Sequence, residues 1–146
     1  MLNDLMKIGI ANDHAGCELK KQILKYLAKD LNINVLNYGT DTDESVDYPD
    51  YAKKIVIAIE SKKIDYGILI CGSGIGMSIC ANRSKHVRAA LCHNSELAKL
   101  SREHNNANVL VLGARYLSFE ETKKIIHSFL THKFEARRHL KRIKKI

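Results

Sequence analysis

Short apolar runs alternate along this chain with longer stretches in which apolar positions recur every three or four residues. The runs at 7–12, 33–38, 68–71, 87–92 and 108–112 predict five strands. Between them, Leu19, Ile23, Leu24 and Leu27 predict a first helix. Ala52, Ile55, Val56 and Ile59 predict a second, with Pro49 in its first turn. A third carries Ile75, Ile79 and Cys80. A fourth carries Leu97, Ala98 and Leu100, is capped by Asn94 or Ser95 and ends near His104. Residues 118–121 read Ser-Phe-Glu-Glu, a capping box ahead of Ile125, Ile126, Phe129 and Leu130. A last helix runs through Ala136, Leu140 and Ile143. Strands alternating with helices predict one α/β domain over 1–146, a parallel sheet covered on both faces. Loops at the carboxyl ends of the strands are then the expected place for a site.

No apolar run approaches the ~20 residues of a membrane span. Neither an export signal nor a linker is visible. The four cysteines, Cys17, Cys71, Cys80 and Cys92, form no CxxC and no metal-ligand spacing. Reduced thiols in a cytoplasm are expected. The net charge of +8 is unevenly spread: residues 133–146 hold seven of the 24 basic residues and one acid, Glu135. A basic C-terminal helix of this kind suits nucleic acid, small phosphates or only a solvated face, the last being commonest.

The most informative stretch is 66–78, Tyr-Gly-Ile-Leu-Ile-Cys-Gly-Ser-Gly-Ile-Gly-Met-Ser. Three glycines at alternate positions, Gly72, Gly74 and Gly76, follow a buried strand and precede a helix. Such a loop turns its amides outward and makes a concave anion site. Cys71 at the strand end sits beside donors that favour its thiolate. A tight turn with a buried structural cysteine fits the motif alone equally well. Asp13 and His14 follow strand one, Ser73 follows Cys71, and His104, Asn105 and Arg115 bracket strand five, so the set is expected around those carboxyl ends. Singly each is weak: Asp13 suits a helix cap, and His104-Asn105 suits a helix C-terminus. Arg138 and Arg142 share one helix face and could grip a phosphate. The acidic stretch from Asp41 lacks the glycine and glutamate of a calcium loop, and the glycine loop matches neither a dinucleotide fingerprint nor a P-loop. The histidines show no zinc pattern.

Together, Asp13-His14-Ala-Gly, Asp47-Tyr48-Pro49, Cys71-Gly-Ser-Gly-Ile-Gly, Ser101-Arg-Glu-His104-Asn105 and Arg138-His139-Leu-Lys-Arg142 resemble the ribose-5-phosphate isomerase B family and its sugar-phosphate isomerase relatives. The resemblance spans 6–146 and leaves 1–5 as a short extension. It implies a three-layer α/β/α sandwich on a five-stranded, Rossmann-like parallel sheet. It also implies a homodimer or dimer of dimers with the site between subunits, without metal or cofactor. The implied activity is the interconversion of ribose 5-phosphate and ribulose 5-phosphate in the pentose phosphate pathway. By the same resemblance Cys71 is the base, the amides of Gly72, Gly74 and Gly76 hold the enediolate, and Ser73 moves the hydroxyl proton. Asp13 and His104 open the ring, and Tyr48 and Asn105 touch the sugar. His14, Arg115, Arg138 and Arg142 clamp the phosphate. Met77 stands where a second branch has a glutamate base, which assigns the chain to the cysteine type. Asn106 and the pair Ala136-Arg137 depart from the aspartate and the two glycines common among relatives. The alternatives are a six-carbon sugar phosphate such as allose or galactose 6-phosphate, or a non-catalytic phosphosugar- or RNA-binding module using the basic tail.

Overall fold

The computed structural model describes residues 6–146, so the expected extension at 1–5 lies outside the described residues. Five parallel strands form one sheet: β1 (Ile8–Asn12), β2 (Val35–Asn37), β3 (Tyr66–Cys71), β4 (Ala89–Leu91) and β5 (Val109–Gly113), in the order β2-β1-β3-β5-β4. The helices are α1 (Cys17–Lys29), α2 (Tyr48–Glu60), α3 (Ile75–Ala81), α4 (Ser95–Glu103), α5 (Phe119–Thr131) and α6 (Arg137–Ile143). The central strands β1, β3 and β5 are buried nearly throughout, as a sheet covered on both faces requires. Successive residues divide between two cores. Ile68, Ile70, Leu110 and Leu112 pack with Ile23 and Leu27 of α1 and Ile125 and Phe129 of α5. Leu69, Cys71, Val109 and Val111 pack with Ile55 of α2 and Met77 of α3. This is the expected three-layer α/β/α sandwich. No helix among the described residues is long and apolar enough to cross a membrane.

The local signals act as read. Ser118 and Glu121 form a complete capping box at α5, and Asn94 caps α4 through the Leu97 amide. Pro49 occupies the first turn of α2. Three details differ. The edge strands β2 and β4 are only three residues long, because each pairs on one side. On α3, Ile75 and Ile79 point out, 54% and 62% exposed, while Met77 and Ala81 are buried. The basic tail is helical only from Arg137, since Ala136 and Arg137 take φ of 56° and 40° and break the helix's entry.

Candidate active site

The chain leaves β1 toward one edge and returns at β3 to build the other, so a crevice opens above the adjoining ends of β1 and β3. The Asp13 amide donates to the Ile70 carbonyl at 3.1 Å and ties the two ends together. Asp13 is buried, and its Oδ1 accepts the Ala15 amide at 3.0 Å, so the capping role expected of it is real. His14 accepts the Val46 amide on Nδ1 at 3.2 Å. That contact puts the ring proton on Nε2, free to donate into the crevice.

Cys71 ends β3 and is 5% exposed. The Gly74 amide donates to its Sγ at 3.2 Å, the contact a thiolate would use. Gly74 takes φ of 80°, a left-handed turn in which a Cβ would also collide with Leu91. Ser73 Oγ accepts the Ile75 amide at 3.2 Å. The loop is hemmed in by the other site residues. A Cβ on Gly72 would lie 2.7 Å from Arg115 Nη1, and one on Gly76 would lie 2.5 Å from Tyr48 Cζ. Arg115 is fixed by its own amide, which donates to the Gly72 carbonyl at 3.0 Å, while its side chain stays exposed. Asp13, His14, Tyr48, the 71–76 loop and Arg115 thus belong to the carboxyl end of the sheet.

His104 and Asn105 do not join them, contrary to the expectation that gathered all these residues around the carboxyl ends. They follow α4 and precede β5, so they lie at the amino end of the sheet. The five residues of β5 separate the two groups by about 15 Å at ordinary strand rise. The His104 ring stacks on His139 of α6, centroids 4.2 Å apart and planes 14° apart. The Glu135 amide donates to the Glu103 carbonyl at 3.0 Å and ties the lead of α6 to the end of α4. Exposed Arg138 and Arg142 are four apart on α6, beside that stack. Desolvation pushes His139 below the ordinary imidazole value, and His104, Arg138 and Arg142 push it the same way. His139, unassigned from sequence although it stands inside a quoted motif, is therefore part of this second group.

The donor atoms of His104, Glu135 and His139 lie within 4.8 Å of one another, which raises a metal. Near-parallel rings send their lone pairs side by side, whereas ligands must converge on a point ~2 Å away. Two flanking arginines add cationic repulsion. Elsewhere, burial lifts the Cys92 thiol to about 11, with Ser101 opposing weakly, so Cys92 is an inert core thiol.

Comparison with known proteins gives the family. The ribose/galactose isomerase family profile matches residues 8–146. A putative sugar phosphate isomerase of Rickettsia bellii is 51% identical over 139 residues, covering 95% of this chain and 96% of its own length. The ribose 5-phosphate isomerase structure from Thermotoga maritima superposes with a TM-score of 0.94 at 50% identity, covering 97% of each chain. Ribose-5-phosphate isomerase B of Mycoplasma genitalium, solved with bound ribulose 5-phosphate, superposes at 0.89 with 41% identity, covering 98% of this chain and 95% of its own. From its first strand to its last helix, this chain belongs to the ribose/galactose isomerase family.

Proposed function

We infer that this chain is an aldose–ketose isomerase that interconverts ribose 5-phosphate and ribulose 5-phosphate through an enediolate. The observation that carries the reading is Cys71 held against the Gly74 amide at a β1/β3 crevice walled by Arg115 and Tyr48. The relative that binds ribulose 5-phosphate shares this fold closely. In the aldose direction, Asp13 and His104 exchange protons with the anomeric hydroxyl and the ring oxygen, and the furanose opens. The Cys71 thiolate takes the proton from C2. The bonding pair moves between C2 and C1, and negative charge collects on O1. Amides of the 72–76 loop hold that charge. The thiol, after exchanging its proton with solvent, protonates C1 while Ser73 moves the O2 hydroxyl proton to O1, which leaves the ketone. Tyr48 and Asn105 orient the sugar. His14 donates Nε2–H to the phosphate, and Arg115, Arg138 and Arg142 supply charge. No step asks for a metal or an organic cofactor.

One copy cannot assemble this set, since His104, Asn105, Arg138 and Arg142 sit at the far end of the sheet from Cys71. We read the working unit as a homodimer in which each site takes its carboxyl-end half from one subunit and its amino-end half from the other. Exposed Ile57, Ile75 and Ile79 on α2 and α3, beside the carboxyl-end half, suit burial by a second copy. Four free thiols suit a cytoplasmic enzyme. The tail arginines aligned beside His104 favour a phosphosugar over RNA as its partner.

The test is direct. Ribose 5-phosphate incubated with the protein and a chelator in deuterated water should yield ribulose 5-phosphate carrying solvent deuterium at C1. No turnover of the pentose, with turnover of allose 6-phosphate instead, would move the substrate to the six-carbon class.

A further inference from the structure

The turn at 104–108 carries two side chains assigned to the sugar, and its amides are tied by backbone: Asn106 and Ala107 donate to the Arg102 and Ser101 carbonyls at 3.2 and 2.9 Å, and Asn108 to the Arg88 carbonyl at 3.0 Å. His104 is the last cap of α4, its amide donating to Leu100 at 2.9 Å, and Asn106 takes φ of 46°. The turn's carbonyls are held instead by two arginine side chains from outside it. Arg88 Nε donates to the carbonyls of Asn105 and Asn106, at 3.1 and 3.0 Å. Arg102 Nη1 donates to Asn106 Oδ1 at 3.2 Å and to the Ala107 carbonyl. Arg102 is itself locked: it is 6% exposed, its Nη2 donates to Tyr66 Oη at 3.1 Å, and its guanidinium lies over the Tyr66 and Phe129 rings at 4.9 and 5.6 Å. Asn108 completes the staple. Its Oδ1 accepts the Arg88 amide and its Nδ2 donates to the His86 carbonyl, both at 2.8 Å. Every carbonyl from 105 to 107 is thus bound by a guanidinium.

A peptide held this way has one conformation available rather than several. A misplacement of about 1 Å at a reacting group can cost ~10²-fold in rate. We propose that Arg88 and Arg102 are positioning residues for isomerisation, fixing the 105–107 peptide so that His104 and Asn105 meet the sugar held by the other subunit. This rests on the reading of His104 as a ring-opening residue. Arg102, being buried, also supports the core, so Arg88, which is only half-buried, carries the test.

Arg88→Met keeps the aliphatic stem and removes the donors. Its kcat should fall about tenfold or more, with the melting temperature nearly unchanged. With ribose 5-phosphate deuterated at C2, the primary isotope effect should fall toward one, because ring opening rather than proton transfer then limits turnover. Arg88→Lys, which keeps a cation and a donor, should recover part of both. Adding Arg88→Met to His104→Gln should cost little more than His104→Gln alone. Wild-type kcat and isotope effect in Arg88→Met, or fully multiplicative losses in the double variant, would overturn the proposal. Wild-type turnover in His104→Gln is a separate result, and it would remove the ring-opening role on which the proposal rests.

Discussion

The two halves of the proposed site are built by opposite means. The carboxyl-end half uses close packing. Gly72 lies under Arg115, Gly76 under Tyr48, and Gly113 lets the Ser73 carbonyl approach so that a Cβ there would be 2.5 Å away. Its side chains leave the ends of β1, β3 and β5, the three central and nearly fully buried strands, and inherit their rigidity. The amino-end half has no strand to stand on. It is a turn and a seven-residue helix, held by guanidinium–carbonyl bonds, a stacked imidazole pair and backbone at positive φ without glycine. Chemistry that must place a base to a fraction of an ångström belongs in the first setting. The groups assigned to ring opening and to the phosphate lack that scaffold, so their precision has to come from the side chains that hold the turn.

The sharpest way to break that division is to separate the halves genetically. Cys71→Ala and His104→Gln should each lose at least ~10²-fold in turnover as pure proteins. Mixed in equal amounts and allowed to exchange subunits, they should regain about a quarter of wild-type activity, since half the dimers are then mixed and one of their two sites is intact. Activity assayed before and after exchange decides it. If both halves came from one chain, every site in the mixture would stay defective and nothing would return.

A second measurement asks whether the amino-end half grips the phosphate. Arg138→Gln or Arg142→Gln should raise KM for ribose 5-phosphate about tenfold, the worth of one charge-assisted hydrogen bond. Inorganic phosphate should weaken as a competitor to the same degree. Lys144→Gln and Lys145→Gln, in the last turn beyond the pair, should leave KM nearly unchanged. Equal effects from all four, together with salt-sensitive RNA binding by the parent chain, would make the tail a nucleic-acid contact instead.

The same contrast explains what could be read before folding. The carboxyl-end half was legible because its signals are covalent and local: an apolar strand, a cysteine, alternate glycines, a cap at Asp13. The strand and helix order followed from period alone. On α3 the period failed to choose a face. Ile75 and Ile79 share the spacing of Met77 and Ala81, so a helix apolar on two sides offers no sign of which side meets the sheet. His104 and Asn105 lie before β5, as their place in the sequence implies, but a sequence does not say at which end of the sheet that is relative to Cys71. Arg88 and Arg102 were invisible as site residues because they bind backbone carbonyls, which carry no pattern in a sequence.

The smallest expected effect tests the backbone of the weaker half. Ala136 sits at φ 56°, ψ −104°, and Arg137 follows at φ 40°, where L side chains are strained. Holding a non-glycine residue there costs ~1–3 kcal/mol, and a glycine in its place would give part of that back through the larger entropy it loses on folding. Ala136→Gly should therefore stabilise the chain by about 1 kcal/mol in a denaturant titration, with KM unchanged or slightly improved. The reverse exchange in the other half, Gly74→Ala, should cost more than that gain. There a positive φ is combined with a Cβ 3.1 Å from the Leu112 carbonyl carbon and 3.2 Å from the Gly113 nitrogen, backbone that cannot step aside. A destabilised Ala136→Gly would mean that the entry to α6 is relaxed as it stands. The two halves would then differ in what holds them but not in how much strain they carry.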